Sequence, residues 1–482
     1  MLYHSNKSPF KGDLEGLPVP VPVNVPVPVK NMYNLIFYIF EFGVFIASFF
    51  NDKVRKMWRG ERNAFRYLKQ HVEPGADYAW FHAASLGEFE QGRPIIEEYR
   101  KVYPEKKILL TFFSPSGYEV RKDYELADLV CYLPIDTPTN ALRFLRTVRP
   151  SVAFFIKYEF WYNYMHILRH RGVPVYSVSS IFRPNQVFFR WYGRTYAHVL
   201  KCFTHFFVQN EQSKQLLATI GIHNVDVTGD TRFDRVATIA HQSKEIPAVA
   251  TFAGKSTFKG DLEGIPVNVP VPVPVPVNVP VPVPVPVNVP VKNSSRVFIA
   301  GSSWLPDEKI FLQYFNQHRD WKLILAPHVI AESHIEMIMQ LLQGRRVLRY
   351  SQLTAGDQQA LADAEVLIID CFGLLSSIYK YGDVAYVGGG FGAGIHNLPE
   401  AAVWNLPVIF GPNNHKFQEA QELKACQGGF EITDYDSFAA VMDRFISDPD
   451  YLRTASAAAG NYVQSQSGAT EKLLQLLRQS RK

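Results

Sequence analysis

Short apolar runs alternate with segments of helical period through most of the chain. Before residue 230 the runs are Tyr78–Ala83, Ile108–Phe113, Val152–Ile156, Val173–Val178, Phe206–Val208 and Val225–Val227. After residue 293 they are Val297–Ala300, Leu323–Ala326, Val366–Ile369, Val384–Val387 and Pro407–Phe410. These runs are apolar without alternation, so each predicts a strand covered on both faces. Strands separated by helices predict parallel sheets. The pattern therefore predicts an α/β protein of two Rossmann-like halves facing each other across a cleft, with ligands at the carboxyl ends of the strands.

Two segments break the pattern. Lys7–Asn31 and Lys255–Asn293 share Phe-Lys-Gly-Asp-Leu-Glu-Gly, then alternating Val and Pro, then Val-Lys-Asn. Proline at every second position removes half the backbone donors, which rules out helix and sheet interior. An extended strut or a mobile loop is expected. Docking of a proline-binding module is the alternative. Such inserts survive in exposed connections, so the second marks a domain boundary near residue 255 and the first places the ancestral start near Met32. The expected domains are 1–31 (insert), 32–60 (membrane-anchoring helix and basic flank), 61–250 (first αβ domain), 255–293 (insert) and 294–482 (second αβ domain).

Met32–Phe50 is almost wholly apolar, with Glu41 in its middle, and Lys53-Val-Arg-Lys-Met-Trp-Arg follows. Its length approaches that of a membrane span, and no small-residue cleavage site follows. The expectation is a helix embedded in or anchored to the membrane, its basic flank on the cytoplasmic side. The alternative is a helix packed on the protein's own core. Phe188–Tyr196, basic and aromatic, predicts an amphipathic surface helix, with contact to anionic headgroups as the alternative.

The length of 482 residues suits two or three domains. With 47% apolar and 20% charged residues the chain has the composition of a folded protein. A net charge of +5 fits an anionic substrate or membrane surface and does not call for nucleic acid. Cys131, Cys202, Cys371 and Cys426 lie far apart, implying neither a zinc site nor a disulfide framework.

Two stretches carry chemistry. In His82-Ala-Ala-Ser-Leu-Gly-Glu88 a strand gives way to a helix whose first turn holds a carboxylate. Glu88 fits simple helix capping, or a reactive group at a strand's carboxyl end. Tyr386–Ala402 follows a strand, is rich in glycine and opens a helix. Its glycines allow close approach to a phosphate, and the helix start offers amide donors. The register is not that of a nicotinamide fingerprint. Glu400 lies where it would meet ribose hydroxyls. Simpler roles suit other residues: His334 and His415 as surface or capping groups, Trp161 as a packing anchor, Asp370 as a helix cap, and Glu159 as either a structural ion pair or a site residue.

Taken in order, these motifs resemble the 3-deoxy-D-manno-octulosonic acid (Kdo) transferases. His82–Glu88 looks like His-x-x-Ser-Val-Gly-Glu, and Tyr132-Leu-Pro-Ile-Asp136 like Tyr-Leu-Pro-Tyr-Asp. Glu159-Phe-Trp-Tyr-Asn163 is similar to Glu-Leu-Trp-Pro-Asn, Thr228–Asp234 to Thr-Gly-Asn-x-Lys-Phe-Asp, and His396–Ala402 to His-Asn-Pro-Leu-Glu-Pro-Ala. The resemblance implies the GT-B fold and inverting transfer of Kdo from CMP-Kdo to a lipid A precursor, lipid IVA, at the cytoplasmic face of the inner membrane. It implies no cofactor and no metal. It implies Glu88 as general base, with Glu159 and Arg232 supporting the transition state. It implies that Pro327, His328, Phe372, Gly373, Leu374, Asn397, Leu398, Pro399 and Glu400 hold CMP. The chain departs from the family pattern at Lys157, Arg232, His328 and Leu374, which stand where glutamate, lysine, arginine and glutamate are usual. Other readings are another lipid-linked nucleotide-sugar transferase of the same fold, or a non-catalytic membrane-tethered binding protein.

Overall fold

A computed structural model describes residues 27–193, 196–243, 245–255, 296–342, 344–354 and 356–479. The expected extended struts, in Lys7–Asn31 and Lys255–Asn293, lie almost entirely outside these residues. The chain forms two compact units. One runs to Arg235 and resumes at Gln466, and the other is Val236–Ser465.

The first unit holds seven strands: β1 (Tyr78–Ala83), β2 (Lys107–Phe112), β3 (Leu129–Tyr132), β4 (Val152–Ile156), β5 (Val175–Ser180), β6 (His205–Val208) and β7 (Val225–Val227). All pair in parallel, in the order β3-β2-β1-β4-β5-β6-β7. β1 and β4 are buried at every position, as their unbroken apolar runs require. The second unit holds β8 (Arg296–Ser303), β9 (Trp321–Pro327), β10 (Val347–Arg349), β11 (Val366–Ile368), β12 (Val384–Val387), β13 (Val408–Phe410) and β14 (Gly429–Glu431). They form a second parallel sheet, ordered β10-β11-β9-β8-β12-β13-β14. Each sheet is doubly wound about one switch point, β1/β4 in the first and β8/β12 in the second. There the connections leave to opposite faces, and the carboxyl ends open a crevice.

Three strands escape the hydrophobic pattern. β3 is four residues long, and β10 and β14 are three-residue edge strands with partly exposed positions.

The unit boundary falls at Arg235/Val236, not near residue 255, and the last helix, Ala469–Gln479, belongs to the first unit rather than the second. Its Leu473, Leu474 and Leu477 lie in one core with Phe89, Ile95 and Phe154. Asp234 secures its start by accepting hydrogen bonds from the Thr470 amide (2.7 Å) and hydroxyl (2.6 Å).

Helix α1 spans Val27–Ala47, so it starts five residues before Met32, inside the end of the Val–Pro segment. Pro28 occupies the first turn, where a missing amide hydrogen costs nothing. Asn51 caps the next helix, α2 (Asp52–His71), accepting from Lys53 N and Val54 N. In place of the surface helix expected at Phe188–Tyr196, the described residues form short 3₁₀ turns that bury Phe188 and expose Trp191.

Candidate functional site

In the first unit the β1/β4 crevice gathers Ser85, Glu88, His82, Glu159 and Trp161. β1 ends at Ala83, and helix α3 (Leu86–Val102) starts three residues later with Ser85 as its N-cap residue. The Ser85 hydroxyl makes no capping bond to the backbone. It donates instead to the Glu88 carboxylate in the first turn. Glu88 is half-buried. Its position is therefore fixed by a side-chain partner at a switch point, beyond what a cap requires.

His82 is fully buried on β1. Its Nδ1 lies 2.9 Å from Thr111 Oγ1, and its Nε2 lies 3.4 Å from Glu159 Oε2 and 3.2 Å from Trp161 Nε1. The Thr111 hydroxyl accepts from Trp80 Nε1 and donates to Phe81 O, so it accepts a second hydrogen bond, from the His82 Nδ1–H. Nε2 is then the acceptor that faces the indole. Trp161 Nε1 also donates to Glu159 Oε2 at 2.7 Å. Trp161, expected as a packing anchor, thus bonds both groups.

Arg232 lies in the first turn of the helix Thr231–Gln242, which follows β7. Its Nε and Nη2 bond Asp230 Oδ2 at 2.8 and 2.7 Å, and Gln91 Nε2 donates to Asp230 Oδ1 at 2.8 Å. Burial alone would raise the Asp230 pKa, but the Arg232 guanidinium and these hydrogen bonds outweigh it and hold the carboxyl below its ordinary value. Gln91 is one turn along α3 from Glu88, so the helix carrying Glu88 is tied to Arg232 through Asp230. Lys157 and Ser179, at the ends of β4 and β5, adopt left-handed backbone (φ 68° and 52°). Such strain gathers where a site over-determines the chain.

In the second unit the residues implied to hold CMP come from three strand ends. His328 follows β9, Phe372–Leu374 follow β11, and Asn397–Glu400 end the loop after β12. Glu400 accepts from Asn397 Nδ2 (2.8 Å) and from Ser376 Oγ (3.0 Å), which joins the second segment to the third. Asn397 Oδ1 is buried and accepts no hydrogen bond. A buried carbonyl left that way costs about 1–3 kcal/mol, and a ligand donor would satisfy it. Leu398 and Pro399 are buried, and Phe372 is exposed beside Gly373, whose φ is +90°. Pro327 ends β9. His328 stacks on both Trp304 (centroids 4.5 Å) and His396 (4.6 Å), and Trp304 Nε1 lies 3.3 Å from His396 Nε2. Burial, then the His328 ring beside it, lowers the His396 pKa.

The glycine loop differs from the phosphate cradle the sequence suggests. The amides of Gly388, Gly392, Gly394 and His396 donate to backbone carbonyls, and that of Gly389 donates to Asp307 Oδ2 at 3.1 Å. A Cβ on Gly388 would lie 2.3 Å from Ser302 O, and one on Gly390 2.6 Å from Gly411 N. These glycines seat the loop against its neighbours.

Two simpler expectations also change. Asp370 does not cap a following helix. It accepts from Arg349 Nε (2.9 Å), Ser351 N (2.8 Å) and Ser351 Oγ (2.6 Å), fastening the edge strand β10. His334 is buried, not a surface group, with Nε2 3.1 Å from Glu308 Oε1. The sequence reading missed Trp304, Ser85, Gln91 and Asp230 as site residues. Two carried a signal: Ser85 as the first residue of a Ser-x-x-Glu pair, and Asp230 inside the Thr228–Asp234 motif.

Among the described residues no group of three or more His, Cys, Asp or Glu side chains is placed to hold a metal ion.

The geometry can be set beside known proteins. The profile of the 3-deoxy-D-manno-octulosonic-acid transferase (kdotransferase) family matches residues 59–235. The 3-deoxy-D-manno-octulosonic acid transferase of Aquifex aeolicus is 25% identical over 376 residues, covering 76% of this chain and 86% of that protein. That of Haemophilus influenzae is 22% identical over 412 residues, covering 83% and 86%. The UDP-GlcNAc 2-epimerase of Neisseria meningitidis, solved with UDP-GlcNAc, covers 83% of this chain and all of its own at 13% identity, with a TM-score of 0.55. That likeness reflects a shared fold. Family profile, relatives matched over most of their length and ordered motifs agree: the chain is similar to the Kdo transferases, a family of glycosyltransferases.

Proposed function

We infer that this chain transfers Kdo from CMP-Kdo to a lipid A precursor with inversion at the anomeric carbon. One observation carries the reading: residues far apart in sequence gather at the switch point of each sheet, an acidic set in the first and a nucleotide-suited set in the second. Glu88 takes the proton of the acceptor hydroxyl as its oxygen attacks the anomeric carbon. The bond from that carbon to the CMP phosphate breaks, and CMP leaves with the electron pair. Arg232 offers positive charge to the transition state, and Glu159 is held by Trp161 to face it. In the second unit, Asn397 and Glu400 suit ribose or base hydrogen bonds, and His328 and His396 suit the phosphate. No step requires a metal.

Purified protein incubated with CMP-Kdo and lipid IVA should yield an acceptor whose mass rises by one or more Kdo residues. No adduct with CMP-Kdo, together with turnover of a UDP-sugar, would replace this reading with transfer from another donor.

The proposed location is the cytoplasmic face of the inner membrane. No helix among the described residues is long and apolar enough to cross a membrane. Leu35, Ile36, Ile39, Phe42, Phe49 and Phe50 are exposed on or just after α1. Between α1 and α2 a groove of about 480 Å³ is lined by Phe45, Phe49 and Trp58 together with Arg55, Arg59 and Arg62. Apolar contacts beside guanidinium groups suit acyl chains beneath anionic headgroups. The protein should co-sediment with vesicles containing phosphatidylglycerol more than with phosphatidylcholine alone, and Phe42→Ser with Phe49→Ser should abolish the binding. Equal recovery of wild type and variant would reject attachment through α1.

A further inference from the structure

The inward face of α1 makes contacts that attachment alone does not explain. The helix Tyr162–His170 starts directly after Glu159-Phe160-Trp161, and no side chain of its own caps it. Its first three amides are received from outside. Tyr162 N donates to the Tyr33 hydroxyl at 3.3 Å, Asn163 N to Asp136 Oδ2 at 2.9 Å, and Tyr164 N to Asp136 Oδ1 at 3.2 Å. The Tyr33 hydroxyl in turn donates to Asp136 Oδ2 at 2.8 Å. Asn163 Nδ2 bridges Asp136 O (2.7 Å) and Asn34 Oδ1 (3.0 Å). Tyr33 stacks on Phe37 (4.4 Å) and packs on Tyr162 (5.0 Å). Phe37 meets the Trp161 indole edge-on at 6.1 Å. That indole donates to Glu159 and faces His82.

One residue of α1, Tyr33, therefore completes the cap of the helix that follows Glu159, a second, Asn34, accepts from the Asn163 side chain, and a third, Phe37, braces the indole that bonds Glu159. A carboxylate as deeply buried as Asp136 is kept only with its acceptors engaged, and Tyr33 supplies one of its three donors from α1. Burial raises the Asp136 pKa to about 7, against the pull of its hydrogen bonds from Asn163, Tyr33 and Tyr164. This assigns work to Asp136 and Asn163, the last residues of two motifs, neither of which has a task of its own in the proposed transfer.

We propose that Tyr33 and Phe37 of α1 are positioning residues for the transfer reaction, holding the turn at 159–164 so that Trp161 sets the Glu159 carboxylate. The proposal rests on the Kdo-transfer reading and on Glu159 facing substrate. The exposed row of α1 lies on the same helix, so the segment that meets the lipid surface is also the one that holds this turn.

The test uses the full chain with CMP-Kdo and lipid IVA in mixed vesicles. Tyr33→Phe keeps the ring and removes the hydroxyl, Phe37→Ala removes the brace, and Trp161→Phe removes the indole donor. Each should lower kcat about tenfold and leave KM for CMP-Kdo and vesicle co-sedimentation close to wild type, while Tyr33→Phe, which unpairs a buried carboxylate, should also lower the melting midpoint. Phe37→Ala combined with Trp161→Phe should fall no further than Trp161→Phe alone, since both act through one contact. Unchanged kcat in the folded Tyr33→Phe and Phe37→Ala variants would overturn the proposal, as would single effects that multiply in the double variant. Failure of the wild type to transfer Kdo would instead count against the underlying reading.

Discussion

Glu88→Gln is expected to lower kcat for Kdo transfer by a factor of about 10²–10⁴, the range a positioned general base supplies. Glutamine matches glutamate in size and still accepts the Ser85 hydroxyl's hydrogen bond. It cannot take the acceptor's proton, so the loss isolates that step. Losing the negative charge in the first turn of α3 costs roughly 0.3–1 kcal/mol, and the fold should survive. The nucleotide-suited residues Asn397, Glu400 and His328 belong to the other unit. CMP affinity, measured by calorimetric titration, should therefore stay near wild type. Transfer at the wild-type rate by the glutamine variant would remove Glu88 from the mechanism. Lost transfer with lost CMP binding would mean that the substitution acts through structure.

The doubly wound architecture was legible because buried parallel strands need continuous apolar runs, and β1, β4, β8 and β12 have them. The edge strands were not, because a three-residue segment such as Val347–Arg349 carries no period to read. The membership of the last helix was hidden for another reason. Leu473, Leu474 and Leu477 announce an apolar face but do not say which core receives it. Within the site, the residues with motif neighbours, Glu88, Asn397 and Glu400, could be found from order and spacing. Trp304 could not. It matters because three strand ends bring its ring against His328, and nothing local to Ser303-Trp304-Leu305 says so. Asp136 shows the same limit: its motif was visible, while its partner Tyr33 lies 103 residues away.

The glycine loop shows how composition misleads, and substitutions there should reveal it. Gly388→Ala is expected to cost about 3 kcal/mol or more, at or above the upper end for overpacking, because the added methyl meets backbone rather than a movable side chain. It would lie 2.3 Å from Ser302 O and 2.6 Å from Ser303 Cα. Neither can retreat easily. Ser302 is already left-handed at φ 51°, Ser303 O accepts from His328 N at 2.9 Å, and Ser303 Oγ donates to Glu308 at 2.9 Å. Displacing Ser303 would shift Trp304 and His328 together, so CMP affinity should fall along with the urea midpoint. Gly392→Ala is the control, since its nearest contact would be Gly389 O at 3.6 Å, an ordinary separation. It should change stability by less than about 1 kcal/mol, the scale of a glycine-to-alanine change where the backbone fits. If the loop instead served by letting a phosphate approach its backbone, Gly392→Ala would lose CMP with its stability intact. A urea titration and a CMP titration on the two variants separate a loop built to seat against its neighbours from one built to cradle an anion.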